Sequence, residues 1–300
     1  MNNNEYKIIR HVTLVGLWIN VVLVVAKLFF GYWGRSDALV ADGYHSLSDF
    51  ITDFIVIVFV AHAYKKADKE HPYGYGKYET VASVLISVIL LFVGVVIGYE
   101  GIVTLIGSFR GKTLPCPDIW TLYVAIFSIL AKEFCYRYTM RYGKKLNSSA
   151  LKANAWHHRS DAISSVATLI GVSFALFMGE KWRIMDPVAS IAIAAMIVVS
   201  ALKIAKPSID ELLEISLPPE MIKHMHNTIK SVPGVLRVHN LRSRRNGHSY
   251  IVDVNIHVDP DITVREGHLI ASEVENRLHA KFTNDMIIYV HTEPQESAQA

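Results

Sequence analysis

Two short stretches of this chain carry side chains that can hold a metal ion inside an apolar setting. They are His45-Ser-Leu-Ser-Asp49 and His157-His-Arg-Ser-Asp161. A spacing of i, i+4 puts both members of each pair on one helix face. Two such faces that meet would offer His45, Asp49, His157 and Asp161 to one point. Two imidazoles and two carboxylates suit a tetrahedral d-block ion, zinc above all. Ionisable groups inside a membrane span are costly and by default mark a functional site. Asp42 and Asp53 lie one turn to either side of the first pair, as auxiliary ligands or entry-path groups. His158 reads as a group behind the ligands or aimed at headgroups. Lys27, Lys132 and Glu133 read as structural polar contacts.

These pairs need helices that cross a bilayer, and the composition supplies them. Apolar residues make up 51% of the 300, charged residues 19%, and mean hydropathy is +0.28. A bilayer core of about 30 Å needs about 20 helical residues. Six segments qualify: Val12 to Trp33, Ala38 to Tyr64, Thr80 to Gly107, Ile119 to Tyr138, Ser149 to Met178 and Pro187 to Ala205. Asp49 lies about 18 Å into the second span from Asp37, and Asp161 about 13 Å into the fifth from Lys152. These depths sum to about the core thickness, so both carboxylates fall near the midplane. Lys and Arg gather beside the N-terminus, the second and fourth loops and the end of the sixth span, which places both termini in the cytosol. The first apolar run is too long for a signal-peptide core and reads as a retained span.

The domain boundaries follow: a transmembrane domain over 1–207, ended by Pro207, a linker over 208–219, a soluble domain over 220–295 and a polar tail over 296–300. The soluble part reads helix (Glu220 to Ser231), strand (Val235 to Arg245), hairpin at Asn246-Gly247, strand (Ser249 to Val258), helix to about Phe282, strand (Met286 to Thr292). Thr263 and Glu266 form a capping box. Tyr250, Val252, Val254, Ile256 and Val258 share a face. This α-β-β-α-β order predicts a ferredoxin-like α+β domain. A net charge of +3 without a basic, aromatic-rich patch excludes a nucleic-acid partner. Cys116 and Cys135 read as lying on one helix, about 28 Å apart, too far for a disulfide.

Three motifs carry a resemblance: Ser36-Asp-Ala-Leu-Val-Ala-Asp42-Gly-Tyr-His45-Ser-Leu-Ser-Asp49, His71-Pro-Tyr-Gly-Tyr-Gly-Lys77-Tyr-Glu, and Ala155-Trp-His157-His-Arg-Ser-Asp161. In order and spacing they resemble the cation diffusion facilitator family. The resemblance implies a homodimeric divalent-metal/proton antiporter of the bacterial cytoplasmic membrane, exporting metal as substrate, with no prosthetic group. His45, Asp49, His157 and Asp161 match the family's transport positions, which in this form look zinc-type. Fe²⁺, Mn²⁺, Cd²⁺ and Co²⁺ remain as alternatives within the family. Asp68 and His71 match two ligands of a loop site whose third position, usually His, is Tyr75 here. A phenol is a poor zinc ligand at neutral pH. Lys77 is matched to an acidic partner in the linker, Glu214. His239, His257, His268, His291 and Glu293 match a cytosolic dimer-interface cluster. An intramembrane metalloprotease would need a general base beside the metal, as in HExxH, and the chain has no such motif.

Overall fold

A computed structural model describes residues 3–63, 65, 67–146, 149–282 and 286–295. Six long helices come first: α1 (Asn3–Trp33), α2 (Asp37–Ala63), α3 (Lys77–Phe109), α4 (Ile119–Lys145), α5 (Ser149–Phe177) and α6 (Met185–Leu212). Then follow α7 (Pro219–Lys230), β1 (Arg237–Asn246), β2 (Ser249–Val258), α8 (Val264–Lys281) and β3 (Met286–Pro294). Contacts divide the chain into two compact units, residues 1–55 with 86–203, and residues 56–85 with 204–300.

Among the described residues, five helical stretches are long and apolar enough to cross a membrane: His11–Trp33, Lys77–Phe109, Ile119–Lys145, Asn154–Phe177 and Glu180–Leu212. The expected second span is not one of them. Its helix α2 (Asp37–Ala63) is long enough, but several of its side chains, Asp53 among them, lie outside the described residues. Large apolar side chains stand exposed along the five, Trp18, Phe29, Phe92, Tyr99 and Phe134 among them, as lipid-facing surfaces require.

In the first unit, small residues let helices approach closely. A Cβ on Gly171 of α5 would lie 2.5 Å from the Ala189 Cβ of α6. That is the small-residue contact by which helices associate where no hydrophobic drive exists between them. Ala38, Leu122, Val172 and Ala189 form a buried cluster beside it. The start of α2 is fixed by α6. The Asp186 carboxylate accepts from Ser36 Oγ at 2.6 Å and from the backbone N–H of Asp37 and Ala38 at 2.6 and 3.4 Å. A carboxylate at a helix N-terminus meets unpaired N–H groups and the positive end of the dipole.

Pro207 does not end its helix, contrary to expectation: α6 continues to Leu212 with Pro207 inside. Proline removes one backbone donor but not the whole ladder. Cys116 precedes α4 instead of sharing its helix with Cys135, and both thiols are free.

In the second unit, the order α-β-β-α-β stands as expected. The sheet runs β1-β2-β3, with β1 antiparallel and β3 parallel to β2. Alternation along β2 sends Tyr250, Val252, Val254, Ile256 and Val258 to one face. There they pack with Met225 and Ile229 of α7 and Val274 and Leu278 of α8. The capping box at Thr263 and Glu266 is formed. The hairpin turn at Asn246-Gly247 meets the loop after α2. Asn246 Nδ2 donates to the Tyr73 carbonyl at 2.9 Å, and a Cβ on Gly247 would clash with the Gly76 carbonyl oxygen. Glu211 accepts from the Gly247 N–H at 2.7 Å and from the Thr80 hydroxyl.

Candidate metal centres

Helix α2 brings His45 and Asp49 to the same face as Asp161 of α5. One ligand atom from each of His45, Asp49 and Asp161 lies within 4.8 Å of the others. His45 Nδ1 is 3.9 Å from Asp49 Oδ1. His45 Nδ1 and Asp49 Oδ2 are buried with no hydrogen-bond partner among the described residues. Buried polar atoms are normally satisfied, so two unpartnered ligand atoms in one cluster fit a cation site.

The fourth expected ligand is placed differently. His157 Nδ1 lies 3.7 Å from Asp161 Oδ1, but its side chain is 45% exposed and it is not part of the three-residue group. Its neighbour His158 is the buried one, at 3%, packed against α1, where a Cβ on Gly16 would lie 3.1 Å from His158 Nε2. Both His158 ring nitrogens lack a partner among the described residues. The headgroup-facing role expected of His158 is thereby corrected.

The two buried lysines expected as structural polar contacts differ: Lys27 is one, whereas Lys132 reaches a residue of the cluster. Lys132 of α4 reaches Asp161: Nζ lies 2.7 Å from Oδ2, and both groups are buried. Lys27 of α1 reaches Asp42 Oδ2 at 2.9 Å, each 1% exposed. Lys27 also donates to Ser46 and Ser165 at 3.1 and 3.2 Å, and Ser165 donates to Asp42 at 2.9 Å. Asp42 is therefore occupied by a satisfied ion pair and not by the cluster. An ammonium inside an apolar span needs a carboxylate, and each lysine has one. The Asp53 side chain lies outside the described residues.

The loop residues are brought together, though not as a three-ligand group. Asp68 Oδ2 accepts from the Tyr75 hydroxyl at 2.6 Å, and Asp68 Oδ1 from the His71 N–H at 2.8 Å. The rings of His71 and Tyr75 stack at 4.1 Å. The Tyr75 bond and the backbone N–H of His71 hold the Asp68 carboxyl below its usual range. The same bond pushes the Tyr75 phenol up to about 12. A phenol so held offers no phenolate near neutral pH. Lys77 Nζ lies 3.5 Å from Glu214, which also accepts from Arg244 at 3.1 Å.

The soluble cluster sits on the sheet face opposite the apolar one. Register explains it: His257 pairs with Glu293, and Asn255 pairs with both His239 and His291. All five point away from the core. His239 Nε2 lies 2.9 Å from His257 Nε2 and 3.0 Å from Glu293 Oε2, and His257 Nε2 lies 3.5 Å from that oxygen. Ligands about 2 Å from one tetrahedral ion are separated by roughly 3.3 Å. These three atoms are spaced accordingly. Asn255, not anticipated, donates to Glu293 Oε1 at 2.6 Å and fixes the carboxylate. Burial pushes Glu293 upward, but the bonds from Asn255 and His239 outweigh it and hold the carboxyl below its usual range. His291, 70% exposed, stands at the rim, 3.5 Å from Glu293. His268 is not brought into the group, because it belongs to α8, which packs on the opposite face.

Residues 13–213 match the cation efflux transmembrane domain, and residues 217–295 the cation efflux protein cytoplasmic domain. The chain is 34% identical over 298 residues to the manganese efflux system protein MneP of Bacillus subtilis, covering 98% of this chain and 99% of that one. It is 36% identical over 292 residues to metal tolerance protein C1 of Arabidopsis thaliana, covering 93% and 61%. To the manganese efflux system protein MneS of Bacillus subtilis it is 32% identical over 283 residues, covering 94% of each.

Proposed function

The chain belongs to the cation efflux, or cation diffusion facilitator, family of multi-pass membrane transporters, which are not enzymes, and from that premise we propose that it exports a divalent first-row metal from the cytosol in exchange for protons, manganese being the favoured cargo. The observation that carries this is the cluster of His45, Asp49 and Asp161, one imidazole and two carboxylates within 4.8 Å. Carboxylate-rich sets suit Mn²⁺, whereas imidazole and thiolate favour zinc. Two relatives similar over nearly the whole chain are named for manganese efflux. Zinc is the second reading: it rests on His157 swinging in from its place 3.7 Å from Asp161 to restore the two-imidazole set.

The mechanism follows from the ligands. Binding needs an ionised carboxylate and a neutral imidazole, so metal entry expels protons and protons expel metal on the far side. Imidazole titrates near neutral pH, which suits it to that exchange. In this proposal α2 is the sixth span, with His45 and Asp49 facing the pocket and Asp42 held by Lys27, and both termini are cytosolic. Residues 1–207 form the transmembrane domain and 220–295 the cytosolic one. The cytosolic domain pairs with that of a second copy, as the name of its family implies. His239, His257 and Glu293 there bind metal when cytosolic levels rise. His291 stands at the rim, and His268 and the Asp68–His71 loop take no ion.

The test is transport in proteoliposomes carrying an internal metal dye, with Mn²⁺ and Zn²⁺ in competition and the pH gradient varied. The expected result is gradient-dependent Mn²⁺ uptake that Asp49→Ala and Asp161→Ala abolish. Uptake unchanged in both variants overturns the site, and uptake of Zn²⁺ alone overturns the cargo.

A further inference from the structure

We propose that Lys132 is a tethered counter-ion of the transport site. Its ammonium holds the Asp161 oxygen that the metal also requires, so cargo is bound in competition with it and released with its help. This rests on the transport-site reading above.

The two buried lysines of the first unit differ in how they are satisfied. Lys27 has three oxygens within reach, on Asp42, Ser46 and Ser165, and Asp42 in turn takes a bond from Ser165. A buried ion pair persists when its remaining donors and acceptors are met in this way. Lys132 has one hydrogen-bond acceptor among the described residues, Asp161 Oδ2 at 2.7 Å, although it is 1% exposed. Asp161 Oδ1 faces His157 at 3.7 Å, and Asp161 shares the ligand cluster with His45 and Asp49. A purely structural lysine would be placed as Lys27 is. Lys132 instead spends its charge on one ligand oxygen, an arrangement that a competing cation can exchange.

Charge balance gives the arrangement a purpose. Asp49 and Asp161 bring two negative charges, which a divalent ion alone would neutralise. With the ammonium retained in the pocket, the loaded site carries an excess positive charge in a medium of low dielectric, where like charges repel strongly. The loaded state is thereby destabilised. A transporter gains from this, since ions must enter yet leave again. Lys132 touches a ligand rather than the cargo, and so acts as a positioning residue.

The test uses the full chain with His239→Ala and His257→Ala to remove cytosolic binding, and Mn²⁺ as the probe. Lys132→Met is expected to tighten Mn²⁺ binding by about tenfold or more, because the repulsion is gone. Transport should show a lowered KM with a lowered maximal rate, release having become slow. Lys132→Arg keeps the charge and should bind Mn²⁺ within about threefold of the parent. Lys132→Gln retains a donor for Asp161 without charge, and replaces the Met variant where that one fails to fold. Binding that is unchanged or weaker in both neutral variants overturns the proposal. Asp49→Asn and Asp161→Asn, measured alongside, separate the two readings. If they bind Mn²⁺ as the parent does, the site itself is wrong. If they lose Mn²⁺ while the neutral Lys132 variants fail to tighten, only the counter-ion is wrong.

Discussion

Removing Lys27 should damage the protein far more than removing Lys27 and Asp42 together. The pair is 2.9 Å apart and 1% exposed on each side, and it joins α1 to α2. Lys27→Met leaves the Asp42 carboxylate buried with Ser165 as its remaining donor. Stranding one charge of a buried pair costs about 3–5 kcal/mol. Asp42→Leu strands the ammonium instead, with only Ser46 and Ser165 to meet it, at a similar cost of about 3–5 kcal/mol. The double variant strands neither charge, and apolar replacement of a buried pair is often neutral, so its loss should be about 0–2 kcal/mol. The single losses then sum to roughly 6–10 kcal/mol against a small double loss, a coupling of several kcal/mol. Denaturant unfolding of the four proteins in the same detergent measures this cycle. If the single losses add, Asp42 and Lys27 are independent and the ion-pair account is refuted. Mn²⁺ binding by the folded double variant is expected to persist, because Asp42 lies outside the His45, Asp49 and Asp161 cluster.

Gly247 has φ of 62° and faces the Gly76 carbonyl, so Gly247→Ala should cost about 1–3 kcal/mol from backbone conformation alone, with the contact adding to it. Thermal unfolding checks this, and an unchanged midpoint would contradict it. Tyr75→His removes the phenol that occupies Asp68 and supplies an imidazole beside His71. It should raise Mn²⁺ or Zn²⁺ stoichiometry by about one ion per chain, measured by equilibrium dialysis; unchanged stoichiometry would show that more than Tyr75 closes the loop. Glu214 is held below its ordinary 4.5 by Arg244 first, against burial, and then by Lys77. A lowered carboxyl pKa stabilises above the unfolded value, and that contribution is lost as pH falls through the lower folded value. The stability gap between the parent and Glu214→Gln should therefore be present above pH 4.5 and close below it. A gap that does not change with pH would dismiss the charge as its source.

The i, i+4 spacing was enough to put His45 and Asp49 on one face of α2, because helix geometry fixes which face a residue occupies; that Asp161 of α5 meets them is seen only in the fold. It was not enough for His157, since spacing sets the face but not the rotamer, and the ring stands half exposed beside its carboxylate. Alternation along β2 identified the core face of the sheet and put His257 opposite it, whereas the grouping of His239, His257 and Glu293 came from the family resemblance. Asn255 escaped because its role depends on strand register, which joins residues far apart in sequence. The partner of Lys132 was illegible for a similar reason. Nothing local on α4 announces that Asp161, on the next helix, is its acceptor.

The Asp186 carboxylate has a mechanical consequence. Three hydrogen bonds at one end of α2 bind it to α6, and their acceptor is a single side chain. Displacing α2 along its axis would break all of them at once, whereas tilting it about that end would keep them. The helix that carries His45 and Asp49 is therefore locked against sliding along its axis, with the Lys27–Asp42 pair holding it to α1 further along.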